Sequence, residues 1–173
     1  KIHREIRYNT AAGLLKIDFY NEFSCEEDAL LFIREFSNQN GVIEVVHKYC
    51  MIPEKSQNNG LIKPVFRESL QQYINIGVQR ILVLAGLSGG GYIWAKYGFA
   101  ATDKDEVELI LGNARSHLSK SSFQIVKKIY DVYYSKNPDG RSFPIDLWAS
   151  FDFMKPILMG SNWHGELDLK NSE

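Results

Sequence analysis

Cysteine is scarce: Cys25 and Cys50 are the only two in 173 residues. That is too few for a disulfide scaffold, and their separation is not a metal-ligand spacing, so no metal is expected. Both read as reduced, packed thiols, which points to a reducing, cytoplasmic setting. Long apolar runs are missing too. Nothing approaches a membrane span and no signal-peptide pattern opens the chain, so no membrane partner is expected. The first residue is Lys1 rather than methionine, so the absence of targeting signals carries little weight. Net charge is nearly absent, with 20 Lys and Arg against 21 Asp and Glu. That leaves no field to gather nucleic acid, and none is expected as a partner. Neither Gly-x-Gly-x-x-Gly nor Gly-Lys-Ser/Thr occurs, so Gly89-Gly90-Gly91 is not a nucleotide loop. These glycines instead let a helix start pass close to a cofactor or a neighbouring strand.

What is present suits one domain. Hydrophobic residues make up 45% of the chain, enough for a proper core, and no repeat or low-complexity linker divides it. Residues 1–173 are therefore read as a single domain, with a core over about 1–102 and a C-terminal elaboration over about 103–173. Lys1 to Phe23 reads as two strands joined around Asn9–Gly13. Ser24 with Glu27 is a capping-box pattern, and Leu30, Ile33 and Phe36 predict a helix running to Ser37. Asn38-Gln39-Asn40-Gly41 is a stop signal. Thr102 or Asp103 is expected to cap a helix to about Leu118, and Ser121 or Ser122 to cap another. Asn137-Pro138-Asp139-Gly140 is a turn, and Trp163 to Leu169 a last strand.

The informative stretch is Val42 to Phe99. An apolar strand stops at Pro53, and a polar loop follows to Gly60. A helix over Leu61–Ile76 is expected to face a sheet with Val65, Leu70, Tyr73 and Ile74, and Gly77 ends it. A second apolar strand, Arg80 to Ala85, comes next. Strand, helix, strand predicts a parallel pair with a right-handed crossover. The polar loop feeds a helix N-terminus, whose unpaired N–H groups and dipole favour an anion such as phosphate. Asn58-Asn59-Gly60 is equally a plain surface turn. Glu44 sits in an apolar run and is either a solvated edge-strand carboxylate or a functional one. His47, three residues on, lies on the opposite strand face, so the two do not form one dyad. His164, Glu166 and Asp168 alternate and share a face, for a metal, for acid–base work or for solvent alone. Lys127, Lys128 and Lys136 among Tyr130, Tyr133 and Tyr134 read as a solvated helix face with a packed side.

This stretch resembles the GNAT superfamily of acyl-CoA-dependent N-acetyltransferases over about residues 42 to 100. A strand ending in Ile52-Pro53-Glu54 precedes Gln57-Asn58-Asn59-Gly60-Leu61-Ile62, similar to the family's Arg/Gln-x-x-Gly-x-Gly/Ala loop. Ile76-Gly77-Val78-Gln79-Arg80 leads into Ile81-Leu82-Val83-Leu84, similar to its G-V-x-x-I-x-L-x-V passage. Trp94-Ala95-Lys96-Tyr97-Gly98-Phe99 is similar to its Y-x-x-x-G-F close. Four departures stand out. Ile62 replaces the small residue at the loop's second glycine, Trp94 stands where a tyrosine acid is usual, Gly89-Gly90-Gly91 replaces the usual Asn/Ala start of the later helix, and residues 103–173 have no counterpart in short members.

The resemblance implies an α/β fold: a mixed, mostly antiparallel sheet whose central parallel pair splays into a cofactor cleft, with helices on both faces. It implies acetyl-CoA or a related acyl-CoA as cofactor. Gln57, Asn58, Asn59, Gly60, Leu61 and Ile62 would cradle the pyrophosphate, and the backbone around Tyr49 and Met51 would pair with the pantetheine arm. It implies acyl transfer to an amine, on a small molecule or a protein, by direct attack. Glu44, or His47 as second choice, would be the base, and Tyr92 or Tyr97 the acid toward the leaving thiolate. Two rivals remain. One is an interaction module whose cofactor groove is blocked by Ile62 and Trp94. The other is a hydrolase or transferase using Cys50 with a distant histidine, His117 or His164.

Overall fold

Residue alternation organises the first half of the chain. Ile2–Asn9 (β1) and Leu14–Asn21 (β2) pair antiparallel across a turn in which Gly13 takes φ +60°. In this computed structural model residues 1–170 are described, except 23, 24, 26, 27, 58, 59, 61, 87 and 88. The helix expected over Ser24–Ser37 is replaced by a strand, β3, at Leu31–Gln39, and the Ser24 and Glu27 cap lies outside the described residues. Over so short a run, Leu31, Phe32, Ile33 and Phe36 satisfy either period. Ladder partners on both sides then settle it, because β3 pairs with β2 and with Val42–Met51 (β4). The β3–β4 turn is Asn40-Gly41, with φ 54° and 83°, the positive values that a tight twisted hairpin requires.

Helix α1, Ile62–Asn75, follows, and Gly77 ends it at φ +79°. Its buried side is Phe66, Ser69 and Tyr73. Of the residues expected to face the sheet, Tyr73 does so, while Val65 and Ile74 are 40% and 47% exposed. The inward face is turned by about one residue from the expected one, because two aromatic rings, Phe66 and Tyr73, outcompete the smaller aliphatics for burial. Strand β5, Val78–Ala85, lies beside β4, and the two form the parallel pair that α1 connects.

The chain divides into two compact units, Lys1–Leu82 with Asp168–Glu173, and Val83–Leu167, so β5 runs from the first into the second. Strands of the first follow the order β1-β2-β3-β4-β5. The second holds α2 (Gly90–Lys96), β6 (Ala100–Ala101), α3 (Lys104–His117), α4 (Lys120–Lys136), α5 (Ile145–Ala149), α6 (Lys155–Met159) and β7 (Trp163–Asp168). There β7 lies between the end of β5 and β6, and it pairs antiparallel with β6. Asp103 caps α3 by accepting from the Asp105 and Glu106 amides. Ser119, rather than Ser121 or Ser122, caps α4. Gly91 explains part of the triple glycine, since a Cβ there would overlap the Leu158 carbonyl at the end of α6. Trp148, Trp163, Phe143 and Phe99 are fully buried in this unit's core. Among the described residues no helix is long and apolar enough to cross a membrane.

The rotated face of α1 has a measurable consequence. Phe66→Ala is expected to cost about 3–5 kcal/mol, and Val65→Ala under about 1 kcal/mol, in urea unfolding. Equal costs would contradict the observed helix rotation.

Candidate functional site

A bulge in β4 divides the chemistry of the first unit between two sheet faces. Arg34 pairs with His47 and Ile33 with Tyr49, so Lys48 is an extra residue with no opposite number in β3. A bulge leaves one residue's backbone out of the ladder and turns the side chains beyond it to the other face. Cys50, opposite Phe32, therefore joins the face of His47 and Arg34. Tyr49 turns to the other face and is 46% exposed. Met51, at the strand's end, is half-buried.

The face under α1 is aromatic with a polar centre. His47 Nε2 lies 2.8 Å from the Tyr73 hydroxyl, to which Arg34 Nη1 donates at 3.2 Å. Arg34 already donates to that oxygen, so the hydroxyl proton is left for Nε2 of a neutral imidazole. Burial, and then the Arg34 charge, hold the His47 pKa down to about 3. Arg34 is 6% exposed and has no carboxylate partner among the described residues. It stands 4.9 Å from the Phe32 ring centre and 5.3 Å from that of Phe19, with Phe36 and Tyr73 close by. Aromatic faces thus take the place of an anion. His47 is packed beneath the helix and is not placed to meet a substrate. Burial also raises the Cys50 thiol to about 11, so it is not a thiolate nucleophile at neutral pH.

The opposite face is a set of ion pairs. Glu44 pairs with Arg80 of β5, Glu35 with Lys48 at 3.3 Å, and buried Asp18 with Arg7 and Lys16. Glu44 is therefore neither an isolated carboxylate nor beside His47. Its partner Arg80 has a side chain 43% exposed, against 18% for Glu44.

Beyond β4 the chain makes a single 3-10 turn at Glu54–Ser56 and reaches α1. Gln57 closes this turn: its amide donates to the Glu54 carbonyl at 3.0 Å, and its side chain donates to the Ile52 carbonyl at 3.2 Å. Asn58, Asn59 and Leu61 lie outside the described residues. Gly60 takes φ +71°, with nothing among the described residues within 4 Å of where a Cβ would stand. Half-buried Ile62 opens the helix, whose first turn holds Lys63 and no acidic residue. Helix α3, by contrast, carries Asp105 and Glu106 in its first turn. Among the described residues the start of α1 thus has no carboxylate facing its positive end, and the Lys63 amide donates to the Gly60 carbonyl at 3.2 Å.

The remaining candidates lie in the second unit. Half-buried Tyr92 has the Lys155 and Lys96 ammonium groups 5.6 and 5.9 Å from its ring centre. Tyr97 ends α2 with its ring 6.2 Å from that of Trp94. Trp94 itself is 8% exposed and packs on Phe99, a core residue of this unit. His164 Nδ1 is 2.7 Å from Glu106 Oε1 on α3, a pairing that its spacing from Glu166 and Asp168 did not suggest. His117 Nδ1 stands 2.9 Å from the Asn113 carbonyl. Sequence reasoning missed Arg34, Arg80 and Glu106. The signal for Arg34 was its place between Phe32 and Phe36 in a period of two.

No family model matches the chain, and no match is found among the curated proteins. Among solved structures the chain is similar to a GNAT family acetyltransferase from Elizabethkingia anophelis with acetyl-CoA bound, at 15% identity and a TM-score of 0.38. That likeness covers 60% of this chain and 77% of the other.

The buried imidazole makes stability depend on pH. A free histidine titrates near 6.5, whereas His47 is held at about 3. Between these values the unfolded chain binds more protons, so the contribution is complete above pH 6.5 and is lost as the pH falls toward 3. From pH 7 to 4.5 the loss is on the order of 2–3 kcal/mol. His47→Gln keeps an acceptor for Tyr73 and does not titrate, so its urea midpoint should fall less over that interval. Equal falls in both proteins would mean that His47 titrates as if exposed.

Proposed function

We propose that this chain binds acetyl-CoA or a related acyl-CoA and transfers the acyl group to an amine-bearing acceptor. The observation that carries this reading is the start of α1: a left-handed glycine with open space beside it, a lysine, and no carboxylate in the first turn. Backbone amides at such an end suit a diphosphate. The sequence resemblance over residues 42 to 100 supports the same ligand. In the same reading a pantetheine amide would pair with the backbone around Tyr49 and Met51, on the side of β4 away from β3.

Bound there, acetyl-CoA supplies an activated thioester. The backbone from Gly60 to Ile62 would hold the phosphates, Gln57 being bonded to Glu54 and Ile52, and Ile62 would narrow the seat relative to a glycine. Glu44 lies on the sheet face away from α1 and is the base of this reading. One of its oxygens would take the proton that an ammonium must lose before its nitrogen can attack the thioester carbon, once Arg80 has released that oxygen; as the N–C bond forms the C–S bond breaks, and CoA leaves as a thiolate that takes up the amine's second proton. A second reading, an acyl-CoA-binding module without transfer, is favoured by the same ion pair, because Arg80 already occupies the base. Thiol release from acetyl-CoA with a panel of primary amines separates the two.

Calorimetric titration with CoA tests the seat. Gly60→Asp adds negative charge to it and should abolish binding, whereas Gly60→Asn, which tolerates the same φ, should lose no more than about tenfold. Unchanged affinity in the Asp variant would rule the seat out.

A further inference from the structure

Helix α4 has two apolar sides, one packed in the core and one partly exposed. Its inner side carries Val126 and Tyr134, both buried. Trp148 of α5 donates to the Val126 carbonyl at 3.1 Å, and Phe143 stacks on Tyr134 with ring centres 5.7 Å apart. The outer side carries Ile125, Ile129, Val132 and Tyr133, which share a face over two turns. Ile125 and Val132 are 44% and 50% exposed. With Leu147, itself 46% exposed, and the neighbouring Pro144 and Phe151, this side lines an open groove of about 550 Å³.

Charge identifies what fits it. Two lysines, Lys128 and Lys136, line the groove, and no carboxylate does. Neither lysine has an ion pair among the described residues, while the nearest acid on the helix, Asp131, is taken by Lys127. The two lysines stand about 12 Å apart along the axis, by the rise per residue of a helix. A second copy is a poor occupant, because a two-fold contact would set these lysines against a surface bearing the same charge. An extended peptide gains no ladder there, because the walls are helix and turn and offer no strand edge.

We propose that the groove between α4 and α5 docks an acidic amphipathic helix of a partner protein. Its apolar stripe lies on Ile129, Val132 and Leu147, and two of its carboxylates, about two turns apart, pair with Lys128 and Lys136. The groove belongs to the helical insertion between β6 and β7, and its role does not depend on acyl-CoA chemistry.

The test is a displayed library of helical peptides of about five turns. Leucine is fixed at i, i+3, i+4 and i+7, and the two flanking positions are randomised. Selection on the intact chain should enrich Asp and Glu at those two positions. A selected peptide, made synthetically, should bind with a Kd on the order of micromolar by fluorescence anisotropy. The double variant Lys128→Glu with Lys136→Glu should weaken it at least about tenfold, and a peptide with its two acids changed to lysine should recover binding to that variant. Both positions are exposed, so the double variant should keep the wild-type circular dichroism melt. Binders without acidic bias, or binders indifferent to the double variant, would overturn the proposal. So would a dimer of the chain alone that Val132→Glu dissociates in sedimentation, or a fatty acid that fills the groove at equal affinity in wild type and double variant.

Discussion

A single buried hydrogen bond, from the Tyr73 hydroxyl to Nε2 of His47, fixes how α1 sits on its strands. Such a bond contributes only about 1 kcal/mol net, but leaving either partner unpaired in an apolar site costs more. The bond therefore acts chiefly on specificity: one rotation of the helix satisfies it, and neighbouring rotations do not. Arg34 tightens this choice by donating to the same hydroxyl from β3. Its charge rests on ring faces rather than on a carboxylate, so the rings around it must stay in place as well. With rotation and position set, the glycine and lysine at the start of α1 follow from the chain leaving β4. The position of the helix start is thus a consequence of packing on the inner side of the helix.

The bulge in β4 does the complementary work. One extra residue, Lys48, reverses the facing of everything after it. Cys50 turns under the helix, where burial keeps its thiol protonated, and Tyr49 turns outward. One sheet face becomes a nearly closed aromatic layer and the other a row of neutralised charges. Glu44 and His47 are separated by that division: one meets Arg80, the other Tyr73. Glu44, Glu35 and Asp18 thus lie on the ion-paired face, away from α1, each held by a basic side chain.

Much of this was legible in the residues. Pro53, Gly60 and Gly77 marked the ends of strand and helix, and the parallel pair followed from strand, helix, strand. Asn40-Gly41 marks a hairpin, and it reads as a helix stop only where a helix precedes it. The segment from Ser24 to Ser37 was misread because four apolar residues in a run of six fit both periods. Only pairing with β2 and β4, which lie elsewhere in the chain, decides between them. The rotation of α1 was missed for a related reason, since a helix pattern does not say which ring finds a polar partner below. Ion pairs such as Glu44 with Arg80 and His164 with Glu106 join distant positions and leave no local trace. On α4 the lysines and tyrosines were read as a solvated face with a packed side. The groove exists because Pro144, Leu147 and Phe151 return beside that face, a proximity that no spacing reveals.

The central claim is that amides at the end of β4 and the start of α1 receive an acyl carrier. Backbone amide NMR during titration with CoA tests it residue by residue. The account predicts saturable shifts at Gly60, Ile62 and Lys63 and from Tyr49 to Met51, with the amides of α4 unmoved. Shifts confined to other parts of the chain, or none with ligand in excess, would contradict it.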